Sequence, residues 1–576
     1  MAFALPAMFL FKGNSLVSLG AVDYAIIVFY FALVLAIGFY LKGRSNTSED
    51  FFMAGREMTA WIAGLSFLSA NLGSLELMGW AGSAYEYGIL ATHWYWIGAI
   101  PAMLFLALIM MPFYYISKTH SVPGYLQLRF GEGSRAISAI SFAFMTVLMS
   151  GINMFSMALV LKMILGWNFN FSIMVSSVTV AVYVALGGLR GAIFNEVLQF
   201  VLIWAGAMLV PIMGLIEAGG WTKLKAQIAA NSGEAYTHMW GTLGSTANNP
   251  MHIHWTGIVF GLAAVISCGY WTTDFLVVQR VLSAKDLRAA KLAPIIGAAF
   301  KMLVPFFVIL PGLLALAVLK TPDGTLIHLV GENATTAANP YSYNEVLPMM
   351  MARYLGPGLL GLGITALIAG FMSGMAGNVS AFSTVWTYDI YGALINKHAS
   401  DDLKVKMGRW STIWGVAISI GTAYLVMYAK SIMDYVQMLF SFFIAPLFGT
   451  VILGMLWKRA TKQGGFWGLL CGILSSIGIW GWVKADHSAL QYIAFDANAT
   501  DMAQNMYQAL WSWIVCVLVT VVVSLLTKPR EEKELVGLVM GCTEIPSEGN
   551  YPFYQRPLFW AGVVAVVFVI FNIVMW

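Results

Sequence analysis

Apolar runs long enough to cross a bilayer recur from Ala21 to Trp576, separated by short polar segments. A helix needs roughly 20 apolar residues to span the hydrocarbon core. Fourteen segments meet that length, at 22–42, 59–88, 92–116, 136–165, 169–189, 193–216, 254–278, 293–319, 352–390, 408–428, 432–457, 464–484, 506–527 and 557–576. No polar block of domain size intervenes, so the pattern predicts one all-α integral membrane unit. The earlier apolar stretch Phe3–Phe11 lacks a basic leader and a small-residue cleavage site, and no cleaved signal is expected there.

Short cytoplasmic loops retain Lys and Arg. Here the basic residues fall in alternate loops, marked by Lys42 with Arg44 and Arg56, Lys118 with Arg135, Arg190, Arg280 with Lys285, Lys397 with Arg409, Lys458 with Arg459, and Lys528 with Arg530. That alternation runs unbroken through the fourteen spans and puts both termini outside. The outside loops are longer and more polar, at 219–252, 321–344 and 485–504, and carry Asn333 and Asn498 in N-x-T sequons.

Composition closes off the soluble alternatives. Hydrophobic residues make up 59% of the chain and charged residues 10%, with mean hydropathy +0.77, whereas a soluble domain spends about a quarter of its residues on charge. The net charge of +4 forms no basic stripe, so no nucleic-acid partner is expected. Cys268, Cys471, Cys516 and Cys542 have no paired spacing and imply neither disulfides nor a metal site.

Two spans are poor continuous helices. The second contains Ser69-Ala70-Asn71-Leu72-Gly73-Ser74-Leu75-Glu76, and the seventh Ser267-Cys268-Gly269-Tyr270-Trp271-Thr272-Thr273-Asp274. Unwound backbone at membrane depth survives only where protein or a wet cavity surrounds it. The two breaks lie five spans apart, as expected if spans two to six and seven to eleven are inverted repeats flanking a transport site. The implied organisation is an N-terminal segment with the first span over 1–50, a 5+5 core with two discontinuous helices over 51–457, and peripheral spans over 458–576. Charged residues at depth cost at least about 2.5 kcal/mol each unless paired or wet, which singles out Glu76, Glu196, Asp274 and Lys301. The bland alternative is close helix packing by small residues, with Glu196 as an interfacial carboxylate.

These residues resemble the sodium/solute symporter family over nearly the whole chain, most closely its sodium/sugar (sodium/glucose, sodium/galactose) branch. The most specific stretch runs from Tyr270-Trp271-Thr272-Thr273-Asp274 through Gln279-Arg280 to Ala284-Lys285, supported by Ser69 to Gly82, Gly187-Gly188-Leu189, Leu310-Pro311-Gly312, Tyr388-Asp389-Ile390-Tyr391 and Trp457-Lys458-Arg459. The resemblance implies fourteen spans, no enzyme activity, Na+ as coupling ion with no other cofactor or metal, a small solute with sugar foremost, and a multi-pass plasma membrane location (inner membrane in a bacterium). It places sodium among backbone carbonyls of Ser69, Leu72 and Gly370 and hydroxyls of Ser373 and its neighbour. Gly374 stands at that neighbouring position and lacks the hydroxyl. It assigns Glu196 to the ion path, solute hydrogen bonds to Asn71, Glu76, Ser267, Lys301 and Gln437, pocket walls to Trp94 and Tyr95, and an inner gate to Tyr270 and Trp271.

A sugar offers hydroxyls around an apolar ring face, so amide or charged partners beside aromatic plates suit it independently of the resemblance. The chain departs from the sugar branch in carrying Tyr95 where a Glu is usual and Glu76 where a neutral side chain is usual, an exchange that can pair Glu76 with Lys301. It is also one residue longer between Gln437 and Pro446. Three readings stay open: a sodium-coupled sugar symporter, a sodium-independent or proton-coupled sugar carrier, and a sodium symporter for another small organic solute. A membrane enzyme, redox pump or receptor has less behind it, because the eight His cluster at span ends or in loops and no signalling domain follows Thr527.

Overall fold

The computed structural model describes residues 18–42, 47–320, 326–336, 341–546 and 551–576, without the side chains of 38, 39, 41, 42, 179 and 182–188. The stretch Phe3–Phe11, Arg44, and the side chains of Lys42, Gly187 and Gly188 thus lie outside the described residues. What is described is helical, with only three isolated bridge contacts. Among the described residues nine helices are long and apolar enough to cross a membrane, or up to eleven if each of two bent pairs is one span.

The elements that build the site are α1 (Ala21–Lys42), α2 (Ala60–Asn71), α3 (Ser74–Tyr87), α4 (Glu132–Leu165), α5 (Phe169–Ala207), α6 (Cys268–Thr273), α7 (Phe275–Leu282), α8 (Leu287–Lys301), α9 (Leu359–Val385), α10 (Ile432–Leu439) and α11 (Ala445–Leu456). The helical stretch Ser74–Ile116 holds 43 residues, about 65 Å if straight and twice the hydrocarbon thickness. Gly88, at φ 65° and ψ −148°, turns the chain after α3, a conformation that a residue bearing a Cβ avoids. No such turn separates the fifth and sixth expected spans. Helix α5 runs through the expected loop at Gly187–Arg190, and Arg190 keeps that stretch at a polar boundary by donating to Glu57 at 2.5 Å.

The break in the second span is where the residues place it. Helix α2 ends at Asn71, Leu72 adopts φ −77° and ψ 52°, and α3 starts after Gly73 without a side-chain cap. The break in the seventh span is narrower than the predicted 267–274. A π-helix over Gly257–Ser267 passes directly into α6, and only Asp274 leaves helical geometry, at ψ 114°, with a 50° bend. Thr272 and Thr273 donate to the carbonyls of Cys268 and Gly269 at 2.5 and 2.7 Å, so their hydroxyls bond within the helix instead of unwinding it. Asp274 then caps α7, accepting from Leu276 N at 2.9 Å. A further bend of 43° separates α8 from Pro305–Val318. It was not anticipated, although Pro305, which has no N–H to continue a ladder, signals it.

The long, buried helix α9 packs on α1, α2, α4 and α5. Its N-terminus is capped from another span: Asp23 on α1 accepts from Gly358 N at 2.7 Å and Gly361 N at 2.6 Å, fully buried. Charge-assisted bonds of this kind contribute about 1.5–3 kcal/mol each. Asp23→Ala is therefore expected to lower the thermal unfolding midpoint of the detergent-purified protein by several degrees, with Asp23→Asn retaining part of the loss-free stability; an unchanged midpoint in the alanine variant would remove this cap from the account.

Candidate functional site

Lys301 is the last residue of α8 before the unanticipated bend, so the helix end carries the side chain into the centre of the bundle. Its Nζ donates to Glu76 Oε1 at 2.7 Å and to Asn71 Oδ1. It also lies 4.6 Å from the Tyr95 ring centroid and 5.2 Å from that of Trp271, close enough for cation–π attraction. Glu76 accepts from Tyr95 OH at 2.8 Å and Trp80 Nε1 at 3.2 Å. Asn71 Nδ2 donates to Tyr270 OH at 3.0 Å. The two charges are almost wholly buried, and so many compensating bonds are what let a pair persist there. The pairing permitted by the Tyr95 and Glu76 exchange is realised.

This network forms one side of a cavity of about 70 Å³, space for about two waters. All seven expected solute residues line it: Asn71, Glu76, Trp94, Tyr95, Ser267, Lys301 and Gln437, with Tyr270 and Trp271. Gln437 Oε1 and Trp94 Nε1 are buried without a protein partner, leaving one acceptor and one donor for a guest. Trp94 leans on Trp80 at 4.8 Å, and Tyr270 lies 5.0 Å from Phe440. The sequence reading missed Trp80, Asn153 and Asn378, which also line the cavity. Trp80 and Asn378 stand one turn beyond Glu76 and Gly374, and helical spacing alone would have found them. The stretch between Gln437 and Pro446 holds a π-turn over Phe440–Ile444 between α10 and α11; an i→i+5 turn can absorb one residue without breaking the helix.

The expected cation residues meet where α9 crosses the break between α2 and α3. Ser373 Oγ donates to Ser69 O at 2.9 Å and lies 3.0 Å from Ser69 Oγ. Gly370 brings α9 against the Leu72 carbonyl, and Gly374 faces Gly73. The Ser69 and Leu72 carbonyls beside the Ser373 hydroxyl are oxygen donors of the kind a hard cation takes. Glu196 stands apart from them. It is fully buried, paired with Arg280 at 2.6 Å and accepting from Ser66, one turn before Ser69.

Helices interrupted at membrane depth around a buried ion pair and a polar, aromatic-walled cavity define a solute transporter, not an enzyme. Residues 51–472 match the sodium:solute symporter family, and the chain belongs to that family: it is a multi-pass membrane protein and a sodium-coupled solute symporter. It is 30% identical over 545 residues to sodium/glucose cotransporter 4 of Danio rerio, covering 90% of this chain and 81% of that one. It is 29% identical over 555 residues to the sodium/myo-inositol cotransporter of Homo sapiens, covering 90% and 75%, and 31% identical over 471 residues to a sodium/mannose cotransporter of Bos taurus, covering 79% and 78%. The fold matches that of a Na+-coupled sialic acid symporter solved substrate-bound and outward-open, with a TM-score of 0.72 at 20% identity, over 89% of this chain and 99% of that one.

Breaking a buried pair by removing one partner costs about 3–5 kcal/mol, whereas neutralising both costs far less. Glu76→Gln and Lys301→Gln should each lower the unfolding midpoint markedly, and the double variant should recover most of the loss. Additive losses in the double variant would mean that the two charges do not compensate each other.

Proposed function

We propose that this chain imports a sugar or a similar small polyhydroxylated solute together with sodium by alternating access. The observation that carries the reading is the Lys301 ammonium held between Glu76 and Asn71 beside an unpartnered Gln437 amide oxygen. Such a set offers charged and neutral donors and acceptors to hydroxyls, and the Tyr95, Trp94 and Tyr270 rings flank the space where an apolar ring face would lie. The named solutes of the relatives, glucose, myo-inositol and mannose, are all ring polyols. In this reading Asn71, Glu76, Ser267, Lys301 and Gln437 hydrogen-bond the solute, and Trp94 and Tyr95 wall the pocket. Tyr270 and Trp271 close its inner side, and Glu196 lines the ion path.

Sodium would sit among Ser69, Leu72, Gly370 and Ser373 beside Gly374. Cation and solute then each raise the other's affinity by the same factor, which is the coupling. We place fourteen crossings in a 5+5 inverted repeat over 51–457, with 1–50 before it, 458–576 after it, both termini outside, and the protein in the plasma membrane or a bacterial inner membrane. The apolar helix Ala21–Ile37, beside the longer ones, and the Gly88 turn support part of that count, while the unbroken α5 marks no turn between the fifth and sixth crossings. A second reading, a proton-coupled or sodium-independent carrier, draws on one observation, the hydroxyl missing at Gly374.

Reconstitution into liposomes separates them. Labelled sugars, amino acids and carboxylates are offered with an inward sodium gradient, a proton gradient, or neither. Concentrative uptake of a sugar driven by sodium is expected, with Lys301→Ala lowering it by at least about tenfold, the worth of one charged hydrogen bond. Sugar uptake indifferent to sodium selects the second reading; Lys301→Ala and Glu76→Ala both leaving every uptake intact would sink the pocket assignment.

A further inference from the structure

The position of Gly374 is not merely short of a hydroxyl; any side chain there would crowd its neighbours. A Cβ built on Gly374 would lie 2.9 Å from Gly73 Cα and 3.1 Å from Asn153 Oδ1, and a Cβ on Gly73 would lie 2.7 Å from the same oxygen. Two glycines, one at the break and one on α9, thus clear a space that the carboxamide of Asn153, from α4, fills. A serine at 374 would press its Cβ on the Gly73 backbone and on Asn153 Oδ1.

We propose that Asn153 supplies the cation ligand that Gly374 lacks, an inference that rests on the sodium-coupled reading above. Asn153 is fully buried. Its amide nitrogen donates to Met149 O at 3.3 Å on its own helix. Its amide oxygen accepts one long bond, 3.5 Å from Ser74 Oγ, whose shorter contact is to the Asn153 main-chain carbonyl at 3.2 Å. Oδ1 therefore keeps acceptor capacity beside Gly73 at the α2–α3 break. An amide oxygen is as hard a donor as those carbonyls, so it completes an oxygen shell without adding charge. The cation site then spans three helices, α2–α3, α9 and α4, and α4 is tied to the ion instead of only packing beside it. Asn153 also borders the solute cavity, so a solute hydroxyl is the competing occupant.

The test titrates Na+ against the purified full-length protein in nanodiscs, without solute, with choline keeping ionic strength constant, and reads calorimetric heat and tryptophan fluorescence. Asn153→Ala is expected to raise the half-saturating Na+ concentration by about tenfold, and Gly374→Ser alone should do the same by collision. In the Asn153→Ala/Gly374→Ser double variant the hydroxyl enters the vacated space, and affinity should return to within about threefold of the starting protein, a non-additivity expected of contacting positions. Asn153→Asp, which keeps the oxygen, should bind Na+ at least as tightly, and covers the case in which the alanine variant fails to fold. Unchanged Na+ affinity in Asn153→Ala with weakened solute binding would assign the carboxamide to the solute and overturn the proposal, as would a double variant no better than either single one. A starting protein that ignores Na+ at every concentration would remove the sodium-coupled reading itself.

Discussion

Every main-chain N–H and C=O inside a bilayer has to find a partner within the protein, because the hydrocarbon offers none. This protein interrupts three helices at that depth, and each interruption is surrounded by groups that meet the debt. At the α2–α3 break Ser373 donates to Ser69 O, and Gly73 N reaches Asn71 O at 2.8 Å. Near Asp274 the Tyr114 hydroxyl donates to Thr272 O at 3.0 Å. After Lys301 the Trp96 indole donates to Met302 O at 2.9 Å. Trp96 and Tyr114, both in the stretch expected as the third span, thus serve the backbone of the interrupted helices.

The same constraint links the fold to the chemistry. Asn71 and Lys301 are the last residues of α2 and α8, each beside a break, and their side chains meet there. Once a cation is buried there it requires a carboxylate, and Glu76 supplies it from the first turn of α3, where the helix dipole also favours an anion. Tyr95 and Trp80 fix that carboxylate, so the solute cavity, the ion pair and the broken helices form one mechanical unit. The Arg280–Glu196 pair, with Ser66 one turn before Ser69, extends that unit along α2.

Much of this was legible along the chain. Long apolar runs, the Gly- and Ser-rich segment 69–76 and the lone Lys301 gave the membrane class, the first break and the key cation, since hydropathy and local backbone preference act over short stretches. Other features were not legible. The seventh span was expected to unwind over 267–274, yet threonine hydroxyls satisfied within the helix keep it wound to Asp274. The loop at Gly187–Arg190 is helical. The bend after Lys301 and the π-turn over Phe440–Ile444 depend on how neighbouring helices hold the chain.

Residue order by itself determined that this chain lives in a membrane, that its second span breaks near Leu72, and which ionisable groups are too costly to be idle, because burial in hydrocarbon penalises charge and unsatisfied backbone wherever they occur. Tertiary structure realised the Glu76–Lys301 pair that the residues permitted, and alone decided that Glu196 is held by Arg280 and that Asn153 occupies the space Gly374 leaves open. Those pairings join residues far apart in the chain, and only the packing of helices sets distances of 3 Å between them.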